Sequence, residues 1–242
     1  MKKVHYYFGW FKNNIPKEVA KALDDDMPCK KSIAIIYTTP SDYKANDEML
    51  DFTKNTWFEP AGIVFENYYS IDYRVKKEEA HEIIKNASVI LLHGGYAVLQ
   101  NAFLQDYELS AAIKRSDAKV VIGASAGGMN MSAKWVTSRH VPSYSARHTN
   151  DDIKIYEGLG LDYFALESHA HCDSVRALAD SDNTKYNLLP LSNEIDVYVA
   201  CEESTIRLKD EKLEVMGDVY LISQSQIQKM EAGTCFRQPP KT

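Results

Sequence analysis

The sequence predicts an α/β fold with a doubly wound, mainly parallel sheet, flanking helices and a β-hairpin near the C-terminus. Through the first half of the chain, short apolar runs typical of buried strands alternate with amphipathic segments of helical length. Two of these runs end at glycine-rich turns. Near the C-terminus, three short strand-like runs are separated by turn residues. This alternation is typical of βαβ units, in which consecutive strands lie parallel.

The length and composition suit one large domain with a proper core, or at most two small ones. The chain has 242 residues, 45% of them hydrophobic, and no linker or repeat divides the sequence, so residues 1–242 are expected to form a single α/β domain. No stretch approaches the ~18 apolar residues that a membrane helix needs, and the N-terminus lacks the apolar core of a signal peptide. The net charge of −6 argues against general nucleic-acid binding. We therefore expect a cytoplasmic protein that binds neither membrane nor nucleic acid.

The cysteines favour a reducing environment. Cys29, Cys172, Cys201 and Cys235 are scattered along the chain and form no Cys-x-x-Cys pair. In a chain of this length the pattern indicates reduced thiols rather than a disulfide framework. We expect Cys172 and Cys201 to pack as small apolar side chains.

In the first half of the chain, strand-like and helix-like segments follow each other in order. The strand-like runs are rich in β-branched and aromatic residues, and Pro40 stops one of them. Ser41 and Asp42 can cap the helix that follows, and Pro16 suits the first turn of another. The predicted strands are 4–10, 32–39, 62–69, 88–92 and 120–122, and the predicted helices are 16–23, one that carries 49–52, 76–86 and 97–114.

The second half of the chain has a different character. Residues 136–148 are rich in Ser, Tyr, Arg and His, and are expected to form a long loop or a β excursion. Two further strands are predicted, and a short helix lies between them. A terminal β-meander follows, broken by Lys-Asp and Gly-Asp turns. These elements are strands 163–167 and 196–201, helix 174–179, and meander strands 205–208, 213–216 and 219–222.

The sequence Gly123-Ala-Ser125-Ala-Gly127 follows a predicted buried strand and precedes helix-forming residues. A strand, a sharp turn and a helix with serine at the tip form a nucleophile elbow. Glycines suit it, because the backbone is strained and chain and helix pass close together. The N–H of Ala126 would lie at a helix N-terminus beside the serine hydroxyl, where it could bind an oxyanion. Taken alone, the motif also fits a plain turn or a phosphate-binding turn.

A serine nucleophile needs a base, and the base needs an acid that orients it. His169 and His171 follow one predicted strand, and Glu202 and Glu203 follow another. Alternation along a strand places His169 and His171 on the same face, so periodicity cannot choose between them. With Asp173, the same histidines could instead bind a metal. No further His or Cys cluster in the sequence supports that alternative, so we predict no metal.

Four segments of the chain, taken in order, form a wider pattern. They read Ile90-Leu-Leu-His-Gly-Gly95, Gly123-Ala-Ser-Ala-Gly127, Leu159-Gly-Leu-Asp-Tyr-Phe-Ala-Leu-Glu-Ser-His169 and Val199-Ala-Cys-Glu-Glu-Ser-Thr205, followed by a predicted hairpin at 210–219. This order resembles the peptidase E and cyanophycinase family of serine peptidases over about residues 33–222. The resemblance implies a flavodoxin-like fold, related to that of class I glutamine amidotransferases.

The resemblance also implies a catalytic triad. Ser125 falls on the family's nucleophile, His169 on its base and Glu203 on its acid. The implied substrate is a short peptide or related amide, and no cofactor is needed. The assembly we expect, if the chain associates, is a homodimer. The implied oxyanion donors are the backbone N–H groups of Gly94, Gly95 and Ala126.

Departures from the family's pattern affect the substrate pocket. The family's Gly-Gly-Gly-Asn loop reads His93-Gly-Gly-Tyr96 here, and an Asp that aspartyl dipeptidases carry falls on His140. Ser168 replaces the proline before the histidine. We take His93, Tyr96 and His140 as candidate substrate-binding residues and predict poor cleavage of N-terminal aspartyl dipeptides. The departures leave two alternatives open: a non-catalytic small-molecule-binding relative, and an esterase with the same triad.

Overall fold

The computed structural model describes residues 3–137, 154–170, 173–233 and 235–237, with backbone alone at 169–170 and 235–237. Its strands are β1 Val4–Phe8, β2 Ser32–Ile36, β3 Asn67–Ile71, β4 Val89–Leu92, β5 Val120–Ala124, β6 Lys134–Val136, β7 Ile155–Glu157, β8 Ala165–Ala170, β9 Val197–Cys201, β10 Thr205–Lys209, β11 Lys212–Met216, β12 Val219–Ser223, β13 Gln226–Lys229 and β14 Cys235–Arg237. Its helices are α1 Lys17–Asp26, α2 Tyr43–Phe52, α3 Lys77–Asn86, α4 Ala97–Asp106, α5 Leu109–Arg115, α6 Ala126–Met131, α7 Val175–Asp180 and α8 Leu189–Leu191, with π-helical turns at Thr53–Phe58 and Thr184–Leu188. Within these described residues, no helix has the length and apolar character needed to cross a membrane.

The larger sheet has eight strands in the order β14-β11-β10-β1-β5-β4-β2-β3. Strands β1 to β5 run parallel to one another. The hairpin β10–β11 extends the sheet antiparallel to β1, and β14 adds a final antiparallel strand. The expected α/β class, mainly parallel sheet and C-terminal hairpin are therefore confirmed. Because β5 lies between β1 and β4, the carboxyl ends of these three strands meet at one place.

A second, six-stranded sheet has the order β13-β12-β9-β8-β6-β7. The sequence pattern did not predict this sheet, and strands between 205 and 222 were expected to form one meander. The meander divides at Gly217, where φ is +78°: β10 and β11 belong to the first sheet, whereas β12 pairs with β9 in the second. A Cβ at Gly217 would lie 3.0 Å from the Glu203 carbonyl oxygen, so the chain crosses closely here. Local turn residues mark such a break but do not show which sheet the next strand joins.

Two predicted elements also differ from the observed ones. The predicted helix 97–114 is two helices, because Glu108 has φ +53° and starts α5 in a new direction. The predicted strand 62–69 begins at Asn67 instead, since a π-helical turn continues α2 and a further turn follows it. In both places the apolar pattern continues through the break, so periodicity does not reveal it.

The central strand β1 sends side chains into cores on both sides of the large sheet. Tyr7 belongs to one cluster of buried apolar residues, and Tyr6 and Phe8 belong to the other. The hydroxyls of Tyr6 and Tyr7 donate to Asp26 and Asp162, each over 2.6 Å. These bonds satisfy hydroxyls that would otherwise be buried without a partner, so β1 is held by polar bonds as well as by packing.

The cysteines differ from the expectation at one position. Cys29 is an exposed free thiol, but Cys201 is disulfide-bonded. The prediction of reduced thiols is therefore wrong for Cys201. Spacing along the sequence failed as a guide because a disulfide depends on which positions meet in the folded chain.

Candidate active site

Ser125 stands at the turn between β5 and α6 with a strained backbone. Its φ is +52° and its ψ −117°, a region that non-glycine residues seldom occupy. Its N–H donates to the Phe8 carbonyl over 2.8 Å, and its carbonyl accepts from Met129 N–H over 3.0 Å. The neighbouring strand and the first turn of α6 therefore fix this conformation. The geometry is that of a nucleophile elbow.

The glycines on either side of Ser125 permit this close packing. A Cβ at Gly127 would lie 1.9 Å from the Leu92 carbonyl oxygen, a distance that no side chain can occupy. A Cβ at Gly123 would lie 2.6 Å from the Gly128 Cα. Helix α6 thus passes directly over the carboxyl ends of β4 and β5, and this path requires small residues at both positions.

The loop after β4 lies beside Ser125. A Cβ at Gly94 would be 3.2 Å from the Ser125 Cβ, and the Gly94 carbonyl accepts a hydrogen bond from Thr38 Oγ1 over 3.1 Å. Gly95 has φ +132°, and Ala126 is the buried first residue of α6. Among the described residues, no backbone hydrogen bond uses the N–H of Gly94, Gly95 or Ala126. These groups therefore remain available as donors to a ligand.

A network of buried side-chain amides, which no sequence pattern predicted, joins the serine turn to the loop after β4. Gln100 donates to the Ile36 and His93 carbonyls over 3.2 and 3.0 Å, and Asn130 donates to Gln100 Oε1 over 3.0 Å. Asn101 in turn donates to Asn130 Oδ1 over 2.9 Å. The network ties the elbow helix α6 to α4 and to the ends of β2 and β4. Amides in amphipathic helices usually face water, so the sequence carried no signal for it.

His93, a candidate substrate-binding residue, lies inside the protein with 1% of its surface exposed. Its ring stacks on Trp57 at 5.5 Å between centroids, and its Nε2 lies 3.1 Å from Thr53 Oγ1. Because Thr53 donates its only hydroxyl proton to the Met49 carbonyl, we assign the Nε2–H as the donor to Thr53. Burial lowers the pKa of His93 to about 4, so the ring is neutral at neutral pH.

We expect His93 to make the protein less stable in mild acid. The pKa of His93 is about 4 when folded against an ordinary value of 6.5, so the unfolded chain binds more protons between these values. The stability due to neutral His93 is full above pH 6.5 and is lost as the pH falls towards 4, amounting to about 3 kcal/mol. Urea unfolding of wild type and His93→Gln at pH 7 and pH 4.5 measures it. An equal loss in both proteins would contradict this prediction.

The carboxyl end of β8 also reaches the elbow. Ser168 is buried, and its hydroxyl donates to the Ser125 carbonyl over 3.4 Å. The pairing of β8 with β9 shifts register between Ser168 and Ala170, so the strand carries an irregularity at His169. The His169 side chain, His140 and His171 lie outside what the structure describes.

The remaining candidates lie in two turns near this end of the sheet. Tyr96 is half-buried and immediately precedes α4. Glu203 is exposed with φ +58°, and its N–H donates to the Trp10 carbonyl over 2.8 Å. Glu202 forms an ion pair with Lys12, 2.7 Å apart. Ser125, Gly94, the end of β8 and the backbone of Glu203 therefore lie near one another at the carboxyl ends of the strands. His93 lies in the interior, away from this surface. No group of three or more potential metal ligands is found among the described residues.

Glu167, two residues before His169 in β8, is a half-buried residue with a buried carboxyl oxygen, and no sequence pattern pointed to it. Burial raises its pKa to about 8, although a hydrogen bond with Asn183 acts in the opposite direction. Its Oε2 atom is buried and has no hydrogen-bond partner among the described residues. Such a carboxyl group is expected to keep its proton at neutral pH.

We expect Glu167→Gln to stabilise the protein in mild alkali. The pKa of Glu167 is about 8 when folded and 4.5 ordinarily, so the folded state keeps a proton that the unfolded chain releases. The stability due to this proton is full below pH 4.5 and is lost as the pH rises towards 8, amounting to roughly 2–5 kcal/mol. The neutral amide removes this loss. Thermal unfolding at pH 5 and pH 8 should show a gain for the variant at pH 8 alone; a gain that is equal at both pH values would contradict the assignment.

Comparison with known proteins rests on solved structures, because no family model and no curated protein matches the chain. A peptidase from an acI-B1 Actinobacterium superimposes with a TM-score of 0.72 at 18% identity, covering 98% of each chain. A putative peptidase E protein from Listeria monocytogenes EGD-e superimposes with a TM-score of 0.56 at 14% identity, covering 89% of this chain and 98% of that one. The expected peptidase E-like fold is thereby confirmed.

Proposed function

We propose that this chain, whose fold is peptidase E-like, is a serine peptidase or amidohydrolase acting on a short peptide or related amide. The observation that carries the proposal is the backbone of Ser125, held at φ +52° and ψ −117° on a strand-to-helix turn. Strain of this kind persists only where the surrounding structure enforces it, and it is concentrated at functional sites. Cytoplasmic location and a homodimer remain predictions from the sequence.

In the proposed mechanism, Ser125 attacks the carbonyl carbon of the substrate. His169 takes the serine proton and later gives it to the leaving amine, and Glu203 holds the imidazole in the required tautomer. The developing oxyanion is bound by the N–H of Ala126 and of Gly94 or Gly95, and each missing donor would cost ~100–1000-fold in rate. No step requires a metal or a cofactor.

Two structural observations support the choice of base and acid. The irregularity in β8 falls at His169, and bulges beside active sites commonly re-aim a strand position. Glu202 is engaged with Lys12, whereas the Glu203 backbone is bonded to Trp10 beside Gly94. Both observations favour His169 and Glu203 over the alternatives His171 and Glu202.

A serine-reactive fluorophosphonate probe tests the proposal. We expect it to label folded wild type and not Ser125→Ala, while Ser41→Ala, which alters an exposed serine outside the site, labels normally. Absence of labelling in folded wild type would leave the non-catalytic binding relative as the better description. Where labelling occurs, turnover of matched ester and amide substrates separates an esterase from a peptidase.

We expect the enzyme to be poor on Asp-Xaa dipeptides. His140 stands where the resemblance implies an aspartate, and an imidazole that is neutral or cationic offers little to a substrate ammonium group. The measurement is kcat/KM for Asp-Leu against a panel of other dipeptides, in wild type and His140→Asp. A clear preference of the wild type for Asp-Leu would remove this prediction.

A further inference from the structure

Trp10, directly after β1, contacts several parts of the proposed site. Its carbonyl accepts the Glu203 N–H over 2.8 Å, and the preceding Phe8 carbonyl accepts the Ser125 N–H over 2.8 Å. A Cβ at Gly94 would lie 2.7 Å from the Trp10 ring and 3.2 Å from the Ser125 Cβ. The indole ring therefore lies against Gly94, whose N–H would bind the oxyanion. Gly94 in turn lies beside Ser125.

The indole belongs to an aromatic wall. Trp10 stacks with Phe52 at 5.9 Å between centroids and 2° between planes, and both rings are half-buried. Trp57 meets the two rings edge to face, at 5.1 and 5.4 Å. Behind them lies His93, 5.5 Å from Trp10 and neutral because burial lowers its pKa. We refer to Trp10 and Phe52 as the aromatic wall.

The lysine nearest to Trp10 in the sequence is already paired. Lys12, two residues after Trp10, forms an ion pair with Glu202. A carboxylate of a substrate placed against the wall would lose hydration without gaining Lys12 as a free partner. An apolar group would gain contact area, and an aromatic ring could also stack.

We propose that the aromatic wall is the subsite for the substrate side chain on the acyl side of the scissile bond, and that it selects aromatic or large aliphatic residues. This inference rests on the proposed function. The acyl side follows from the contact with Gly94, because the oxyanion that Gly94 would bind is attached to the acyl carbon. The base, by contrast, must face the leaving amine.

Amino-acid diphenyl phosphonates test the subsite, since they react with an active serine and carry one side chain beside the reacting phosphorus. The measurement is the second-order inactivation rate with the Phe, Leu, Ala and Asp analogues. Wild type should react ~10–100-fold faster with the Phe than with the Ala analogue, in line with the gain from burying one large apolar side chain. The Asp analogue should be slowest.

The Phe-to-Ala rate ratio in variants then assigns the preference to the wall. In Trp10→Ala and in Phe52→Ala the ratio should fall to within about threefold of unity, because the variant removes the apolar surface that the Phe side chain would bury. Trp10→Phe should retain most of the wild-type ratio. Tyr163→Ala, which removes an exposed tyrosine before the amino end of β8, is the matched control and should keep the wild-type ratio. Near-ultraviolet circular dichroism checks folding, and Phe52→Ala carries the test if Trp10→Ala does not fold.

The outcomes separate the subsite from the proposed function. Fluorophosphonate labelling of Ser125 without any Phe preference, or with a preference that survives in both wall variants, would overturn the subsite and leave the peptidase proposal standing. If folded wild type reacts with neither fluorophosphonate nor any phosphonate, the proposed function and the subsite fall together.

Discussion

Ser125→Ala is expected to abolish peptide turnover while leaving the protein folded. In the proposed mechanism the hydroxyl is the attacking group, and losing it from a triad lowers kcat on the order of 10⁶-fold in a well-studied serine peptidase. An acceleration of ~10³–10⁴ over water could survive from the oxyanion donors and substrate binding. The folded state should be kept, because alanine retains the Cβ that packs beside Gly94.

The measurement is kcat/KM on the best amide substrate found, together with the thermal unfolding midpoint. Ser41→Ala again provides the control, as a serine-to-alanine change at an exposed position. Substantially wild-type turnover by Ser125→Ala would remove the peptidase proposal, and a large drop in the unfolding midpoint would mean that the hydroxyl has a structural role as well.

The second large effect concerns the base. His169→Ala should be about as damaging as Ser125→Ala, because members of a triad act as a unit and their losses do not add. His171→Ala, two residues away, is the matched comparison and should cost far less. A double variant of Ser125 and His169 should be scarcely slower than either single variant. If His171→Ala proved the more damaging histidine change, the base would be His171 instead.

Local sequence patterns predicted the elbow well. Gly123 and Gly127 could be recognised from the sequence because the turn requires glycine at both positions: a Cβ at Gly127, for example, would lie 1.9 Å from the Leu92 carbonyl oxygen. Strands β2, β4 and β5 were equally visible, since strands buried on both faces read as continuous apolar runs.

Features that depend on distant pairings could not be predicted. Nothing local to Gln100 shows that it reaches Asn130, 30 positions away, and nothing local to Trp10 shows that it borders Gly94. The division of 205–222 between two sheets and the disulfide at Cys201 also depend on contacts between distant segments. In each case the deciding contact lies between segments that meet only in the folded chain.

The central position of β1 bears on the order in which the protein is made and folded. Its sheet neighbours are β5 and β10, so residue 4 pairs with residue 120 and residue 8 with residue 205. During synthesis, the first strand emerges more than a hundred residues before either neighbour exists. Folding dominated by such non-local pairing is slow, and apolar strands that wait for partners are prone to aggregate. The hydrogen bond from Ser125 N–H to the Phe8 carbonyl can form only once β1 and β5 have paired. Ser125 therefore reaches its strained conformation only after β1 has been enclosed in the sheet.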